Sequence, residues 1–360
     1  MSDHDNRVIE TALPSTEYWP PNWHYAADRP VATGEYRQRA EDFQVEEQFD
    51  FAPEGQGEHW WLWLEKRGLT TPDLARLLAR AVDIPVRDVG YSGLKDRNAV
   101  TRQWFSLALP GREPPADWDA GLAERGVTCL EAVRHPRKLK RGVHRANRFH
   151  LRISGEAAVS SATRERWDRL VSGGVPNYFG PQRFGPEGRN LHRARQLLAR
   201  GWRKRQDPQG LLLSTARSYL FNTVLSARVA DGTWCVPQPG DVLNLEGTAS
   251  RFASATIDDA LLARAEAGDL HPTGPLWGCG RLESDAATAE RETAIATGFA
   301  ELSDGLVQAG VRHDRRPLRL RLKDADWDLQ GDSVWLSFTL PRGAFATSVL
   351  RELFRHSTLM

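Results

Sequence analysis

Strand-type alternation occupies both ends of this 360-residue chain, and helix-type periodicity fills the stretch between. His59-Trp60-Trp61-Leu62-Trp63-Leu64-Glu65, Val89-Gly90-Tyr91, Ala99–Leu109, Val127–Val133 and Val143–Ile153 read as strands, with one helix set among them. That helix starts at Thr71-Pro72, read as an N-cap and a first-turn proline, carries Leu74, Leu77, Leu78 and Ala81, and stops at Asp83-Ile84-Pro85. From Trp167 onward the period changes. Leu191, Ala194 and Leu198 mark one helix, Tyr219, Leu220, Val224 and Leu225 a second, with further helices expected over Asp258–Ala267 and Ser284–Ala309. Strand character returns in Leu318–Lys323, which has one basic face, and in the alternating Val334, Leu336, Phe338 and Leu340. A short helix, Ala346–Phe354, follows. A sheet assembled from both ends requires the middle to leave and come back. The expectation is an α+β fold, with a mixed or antiparallel-sheet core and an inserted, mainly helical α/β domain. The expected division is 1–172 and 317–360 for the core and 173–316 for the insertion. A single large α+β domain is the competing reading.

Several classes of protein are excluded at this level. No apolar run approaches the ~18 residues of a membrane span. The N-terminal MSDHDNRVIETALPSTEY lacks a basic segment followed by an apolar one, so no secretory leader is expected and the cytoplasm is the expected location. Cys129, Cys235 and Cys279 form no short-spaced pair, which argues against a disulfide framework and against a Cys-based zinc site.

The formal net charge is only +1, yet the basic residues are clustered. Arg134–Arg152 holds eight Lys and Arg and no acid, and Arg189–Arg205 and Arg312–Lys323 are two further basic runs. Only six of the 48 basic residues are lysine, and arginine's planar fork suits phosphate and base alike. Together the runs point to a nucleic-acid partner bound through its phosphates.

Motif-level chemistry is sparse. There is no Walker loop, no GxGxxG after a strand, no HExxH and no GxSxG, so ATP-driven, hydride-transfer and zinc-hydrolase chemistries lose their usual support. One carboxylate stands out: Asp96, in Gly93-Leu94-Lys95-Asp96-Arg97, a turn-like loop between two strands and flanked by two cations. Aspartate is also a common turn residue. A cation more distant in sequence than Lys95 or Arg97 is a candidate for its true partner.

The stretch Gly93-Leu94-Lys95-Asp96-Arg97-Asn98-Ala99-Val100-Thr101 closely resembles the signature of the TruD family of tRNA pseudouridine synthases. Four further blocks resemble the family in the same order: Glu41–Glu47, His144–Phe149, Val175–Gly185 and Leu340–Leu353. The resemblance implies a pseudouridine-synthase core interrupted by the family's insertion domain. It implies isomerisation of uridine to pseudouridine at position 13 in the D-arm of tRNA, with no cofactor, no metal and no obligatory protein partner. By position, Asp96 matches the catalytic aspartate and Phe149 the aromatic that stacks on the target base. Asn147 matches the asparagine that holds loop and substrate, and Phe43 and Phe345 match aromatics lining the uridine pocket. Arg37 stands where a lysine is expected. The stretch beyond Gly185 matches loosely and contributes no site residue.

The implied reaction fits the missing motifs. Substrate and product are isomers, so no donor, acceptor or water is consumed. The enzyme must flip the nucleotide out of its stack, at a cost of a few kcal/mol, and an aromatic face returns roughly 1–3 kcal/mol of stacking. An ionised Asp96 could then attack as a nucleophile or remove a ribose proton. Two other classes are weighed against this: a non-catalytic RNA-binding or RNA-chaperone protein, for which the basic runs suffice, and a metal-dependent nuclease, which needs converging carboxylates.

Overall fold

A computed structural model describes residues 19 and 21–359; the N-terminal stretch MSDHDNRVIETALPSTEY lies outside them. The described chain forms two compact units, one of Arg29–Val175 with Leu320–Leu359, the other of the described residues up to Asp28 with Pro176–Arg319. The first unit opens with β1 (Glu35–Tyr36), β2 (Phe43–Gln48), β3 (His59–Lys66), α1 (Thr71–Ala81) and β4 (Val89–Tyr91). It continues with β5 (Val100–Ala108), β6 (Val127–His135), β7 (Ala146–Ser154), α2 (Glu156–Val159) and α3 (Ser161–Gly173). The chain leaves through β8 (Val175–Pro176) into α4 (Arg189–Ala199), α5 (Leu211–Ala230), β9 (Val242–Leu245), β10 (Arg251–Ala253) and α6 (Asp259–Glu266). Next come β11 (Leu270–Leu276), α7 (Ala286–Gly298), α8 (Ala300–Gln308) and β12 (Asp314–Pro317). The chain returns through β13 (Arg319–Leu320) to β14 (Lys323–Gln330), β15 (Ser333–Pro341) and α9 (Ala346–Leu353).

The first unit is built on one mixed sheet in the order β14-β15-β7-β2-β5-β3-β6, with β1 added to β7 and β4 to β5. The β2–β5 pair is parallel and its neighbours are antiparallel. Alternation gives the sheet two unlike faces. On one, Phe43 and Val45 of β2, Phe149, Leu151 and Ile153 of β7 and Leu336, Phe338 and Leu340 of β15 form a core with Trp167 and Leu170 of α3 and Val349, Leu350 and Leu353 of α9. Farther along the sheet, Leu62 and Leu64 of β3 and Phe105 and Leu107 of β5 pack against α1. Helix α1 offers Leu74, Ala75, Leu78 and Ala79 at i and i+4 spacing, and burying each leucine stabilises the contact by roughly 1.5–3 kcal/mol. Residues of the intervening strands on this face turn polar, and Glu47, Lys66, Thr101 and Gln103 are all buried.

In the second unit the helices α4–α8 accompany a four-stranded sheet, β10-β9-β11-β12. Buried ion pairs, Arg228 with Asp241 and Arg315 with Glu292, tie its strands to its helices.

Several expected elements differ. Thr70, not Thr71, caps α1: its hydroxyl accepts from the Asp73 N–H and donates to the Asp73 carboxylate. Thr71 is the first helical residue and turns its hydroxyl inward. The expected Ser284–Ala309 helix breaks at Phe299, whose φ of −125° and ψ of 47° are non-helical. Leu318–Lys323 is not one strand. Arg319 turns into the second unit, donating to His271 Nδ1 and to the carbonyls of Ala265 and Leu270, so the expected basic face loses this member to the interior, while Arg321 is half-buried and Lys323 exposed. Strand β2, and β14 beyond Lys323, lie outside the elements read from periodicity.

Candidate active site

The loop Ser92–Asn98 joins β4 to β5 and is fixed by a closed hydrogen-bond circuit. Thr71 donates its hydroxyl proton to Gln103 Oε1 at 2.8 Å and accepts from the Lys95 N–H at 2.9 Å. Gln103 Nε2 returns to the Gly93 carbonyl at 3.2 Å. One hydroxyl and one amide thus hold both sides of the loop without water. Gly93 is required by close approach: a Cβ there would lie 3.0 Å from His144 Cε1 and 3.1 Å from Lys95 Nζ. At the loop's start, Ser92 Oγ accepts from the His144 N–H and contacts its Nδ1 at 2.6 Å. Burial and the nearby Lys95 and Arg342 charges pull the His144 pKa down to about 4, so the imidazole is neutral near pH 7.

Lys66 holds the loop from below. It is fully buried at the end of β3, and its ammonium donates to the carbonyls of Leu69 at 2.7 Å and of Asp96 at 2.9 Å. Burial lowers its pKa to about 8, against the pull of Asp96 in the other direction. Lys95 does not face the Asp96 carboxylate. It pairs with Glu47 at 2.5 Å, both side chains buried, and burial drives each toward its neutral form: the carboxyl up, the ammonium down. Arg97 points away and donates to the Gly68 carbonyl.

The partner of Asp96 is Arg37, 59 positions away, whose guanidinium meets Asp96 Oδ2 at 2.5 Å. This is the distant cation anticipated from sequence. Arg37 follows β1 with a φ of 61°, a left-handed conformation that a side-chain-bearing residue adopts at a cost of about 1–2 kcal/mol. Its guanidinium lies 3.8 Å over the Phe43 ring, so one planar group joins carboxylate to aromatic. Asp96 Oδ1 carries no hydrogen bond within the described chain, and its side chain is 43% exposed.

Five of the residues expected from sequence, Asp96, Arg37, Phe43, Phe149 and Asn147, lie along this line. Phe43 touches Phe149 edge-on at 6.2 Å, and Asn147 lies on the same strand face as Phe149, directly opposite Glu47, the partner of Lys95. The path from Asp96 through Arg37, Phe43, Phe149, Asn147, Glu47 and Lys95 therefore closes on itself. Individual placements differ from a lined pocket. Phe149 is 7% exposed, stacked on Phe338 at 5.4 Å, and belongs to the core; Phe43 lies beneath Arg37. Phe345, half-buried at the N-cap of α9, is the more open of the three aromatics. Four buried polar atoms here have no hydrogen-bond partner among the described residues: Arg37 Nε, Glu47 Oε2, Thr101 Oγ1 and Asn147 Oδ1. Such atoms are costly unless a ligand or solvent completes them.

Sequence reasoning missed Lys66 and Glu47. The signal was present for Lys66, since strand alternation places it on the inward face with Leu62 and Leu64. A hollow of about 300 Å³ lies on the opposite face of the sheet, lined by Gln44, Glu46, Arg102, Arg148, His150 and Ser337. Strand alternation turns these side chains away from the Asp96 side. Among the described residues no group of His, Cys, Asp and Glu is arranged to hold a metal ion, and no helix is long and apolar enough to cross a membrane.

The three basic runs fare differently. In the third, Arg315, Arg316 and Arg319 are turned inward. In the first, Arg134, Arg137, Arg145 and Arg152 pair with Glu113, Glu54, Asp50 and Asp42. The second is exposed along most of its length.

The model of the family "tRNA pseudouridine synthase D (TruD)" matches residues 22–205 and 205–353. A protein named tRNA pseudouridine synthase D from Chromohalobacter salexigens is 59% identical over 348 residues, covering 96% of this chain and 100% of the relative. One of the same name from Pseudomonas putida is 47% identical over 331 residues, covering 91% of this chain and 93% of its own. The crystal structure of a putative tRNA pseudouridine synthase D from Methanosarcina mazei superposes with a TM-score of 0.69 at 20% identity, over 93% of this chain and 97% of that one, a likeness of fold.

Proposed function

Because the chain belongs to the TruD family of tRNA pseudouridine synthases and isomerises uridine to pseudouridine in tRNA, we propose that Asp96 carries the chemistry and that the target is uridine 13 of the D-arm. The observation that carries this reading is one carboxylate on a rigid loop, gripped at Oδ2 by Arg37 and open at Oδ1. The reaction breaks the bond from C1′ to N1, turns the uracil, and forms the bond from C1′ to C5. N1 gains a proton and C5 gives one up, so nothing is consumed. A carboxylate serves either route to bond cleavage, attack at C1′ or removal of a ribose proton, and in both it must be charged and positioned.

Flipping the target nucleotide presents a base with one N–H donor, at N3, and two carbonyl acceptors. Asn147 Oδ1, Thr101 Oγ1 and Arg37 Nε are complementary atoms that have no partner among the described residues. Phe345 is the platform we assign to the base. Phe43 and Phe149 form the floor beneath Arg37 instead of a free stacking face. The test is Asp96→Asn. It keeps the size of the side chain, and pseudouridine at position 13 should disappear from mapped tRNA while tRNA affinity stays within about threefold. An Asn variant that still modifies the tRNA refutes the role of Asp96. Modification by the parent protein at another uridine refutes the position.

A further inference from the structure

We infer that the outward face of α4 and the loop after it form a landing surface for the phosphate backbone of the RNA substrate, in the unit that does not contain Asp96. This rests on the reading of the chain as a tRNA-modifying enzyme and adds a binding surface to it. Arg189, Arg193 and Arg200 lie at i, i+4 and i+11, along one side of the helix, and Arg203, Lys204 and Arg205 follow directly. All six are exposed, and none has an ion pair or side-chain hydrogen bond within the described residues. Between Gly188 and Gln206 there is no acidic residue.

Several other surface cations are paired with acids, whereas these six are not. On the surface of the same unit, Arg251 meets Glu283 and Asp314, Arg264 meets Asp269, and Arg291 meets Asp231. Even on α4, the side chain turned toward a neighbour, Arg195, is paired with Glu301. The helix also runs against its own electrostatics. Arg189 and Arg193 are like charges one turn apart, and the first turn, where the helix dipole favours acids, holds a cation and no acid. An arrangement unfavourable in the free protein becomes favourable against an anionic lattice. Nucleic-acid phosphates, spaced regularly along a strand, are such a lattice. An ordinary solvated helix face would carry acids at the i+4 positions, as α3 does with Arg164 and Asp168.

The test is the variant Arg189→Gln/Arg193→Gln/Lys204→Gln in the full-length protein, measured with unmodified tRNA. If each side chain engages one phosphate, the dissociation constant and KM should rise on the order of 30–100-fold near 0.15 M salt, and the slope of log affinity against log salt should shrink by about 0.7–0.9 per side chain. The rate at saturating tRNA should match the parent. The melting temperature should stay level or rise, because like-charge repulsion is relieved; that separates lost binding from lost folding. A control variant, Arg264→Gln, removes an already paired cation and should change binding by less than threefold. Equal affinity and an equal salt slope in the triple variant overturn the proposal. If the parent binds tRNA but makes no pseudouridine, the catalytic reading fails, and the binding comparison still decides the surface.

Discussion

Replacing Lys66 by methionine removes the ammonium beneath the Ser92–Asn98 loop while keeping an unbranched chain of similar length. Two effects on stability oppose each other. The carbonyls of Leu69 and Asp96 lose their donor, and a buried acceptor left unmatched costs about 1–3 kcal/mol. Against this, the variant no longer buries a charge. The displacement of the Lys66 pKa from 10.5 to about 8 corresponds to about 3 kcal/mol held against the protonated form. Net destabilisation should therefore fall between about 0 and 3 kcal/mol, and the protein should remain folded. Catalysis should suffer more. The Asp96 main chain loses its anchor, and a displacement near 1 Å at a reacting group costs on the order of 100-fold. The pH dependence gives a second signature. Between about pH 8 and 10.5 the unfolded chain keeps a proton on Lys66 that the folded chain has shed, so the parent gains stability as pH rises through that window and loses it as pH falls back. The methionine variant should lack this rise. Urea denaturation at pH 7.5 and 9.5, with single-turnover pseudouridine formation on tRNA, checks both. A folded Lys66→Met protein within twofold of parental activity would refute the argument that this ammonium positions Asp96.

Two further outcomes follow from the same geometry. Arg37→Met keeps an apolar contact with Phe43 but leaves Asp96 without its cation, and should lower single-turnover rate by 100-fold or more, about 3 kcal/mol; Arg37→Lys, which restores the residue the family pattern expects, should stay within about tenfold. His144 is held neutral with a pKa of about 4, so its contribution is complete above about pH 6.5 and is lost as pH falls toward 4, by about 3 kcal/mol. His144→Gln should flatten that acid-side decline in denaturation midpoints measured at pH 4.5 and 7.

The insertion between two strand-rich ends was legible because hydrophobic period alone distinguishes β from α, and that pattern is long-range and redundant. What failed was local. Thr70 and Thr71 are equivalent as letters, and only the demand of the Lys95 N–H and Gln103 for an inward hydroxyl decides which one caps α1. The basic face of Leu318–Lys323 is regular in sequence, yet Arg319 is drawn inward by His271 and two carbonyls. Charge run and charged surface are therefore different quantities: Arg189–Arg205 is both, while the Leu318–Lys323 run turns Arg319 inward. At the site, the motif located Asp96, while Arg37 and Lys66 reach it from 59 and 30 positions away, distances over which no periodicity carries information.

The site holds two carboxylates, and the structure gives them roles that do not exchange. Glu47 is fully buried, its carboxyl driven toward the neutral form and held by the Lys95 ammonium. Using it on a substrate would strand that ammonium in the interior, and breaking a buried pair in this way costs about 3–5 kcal/mol. Asp96 is cheaper to engage. Its Oδ2 meets Arg37 while Oδ1 carries no hydrogen bond within the described residues and the side chain is partly exposed, so under the proposed role a substrate could meet Oδ1 without breaking the ion pair. The buried pair sets the shape of the loop through Lys95 and Gly93, and Lys66 fixes its main chain. The carboxylate proposed to act on the RNA is thus aimed by Arg37 and, through the loop, by Lys66 and the Glu47–Lys95 pair. Reactivity at this site should accordingly be far more sensitive to Arg37 and Lys66 than to Arg97, whose guanidinium sits next to Asp96 in sequence and spends itself on the Gly68 carbonyl.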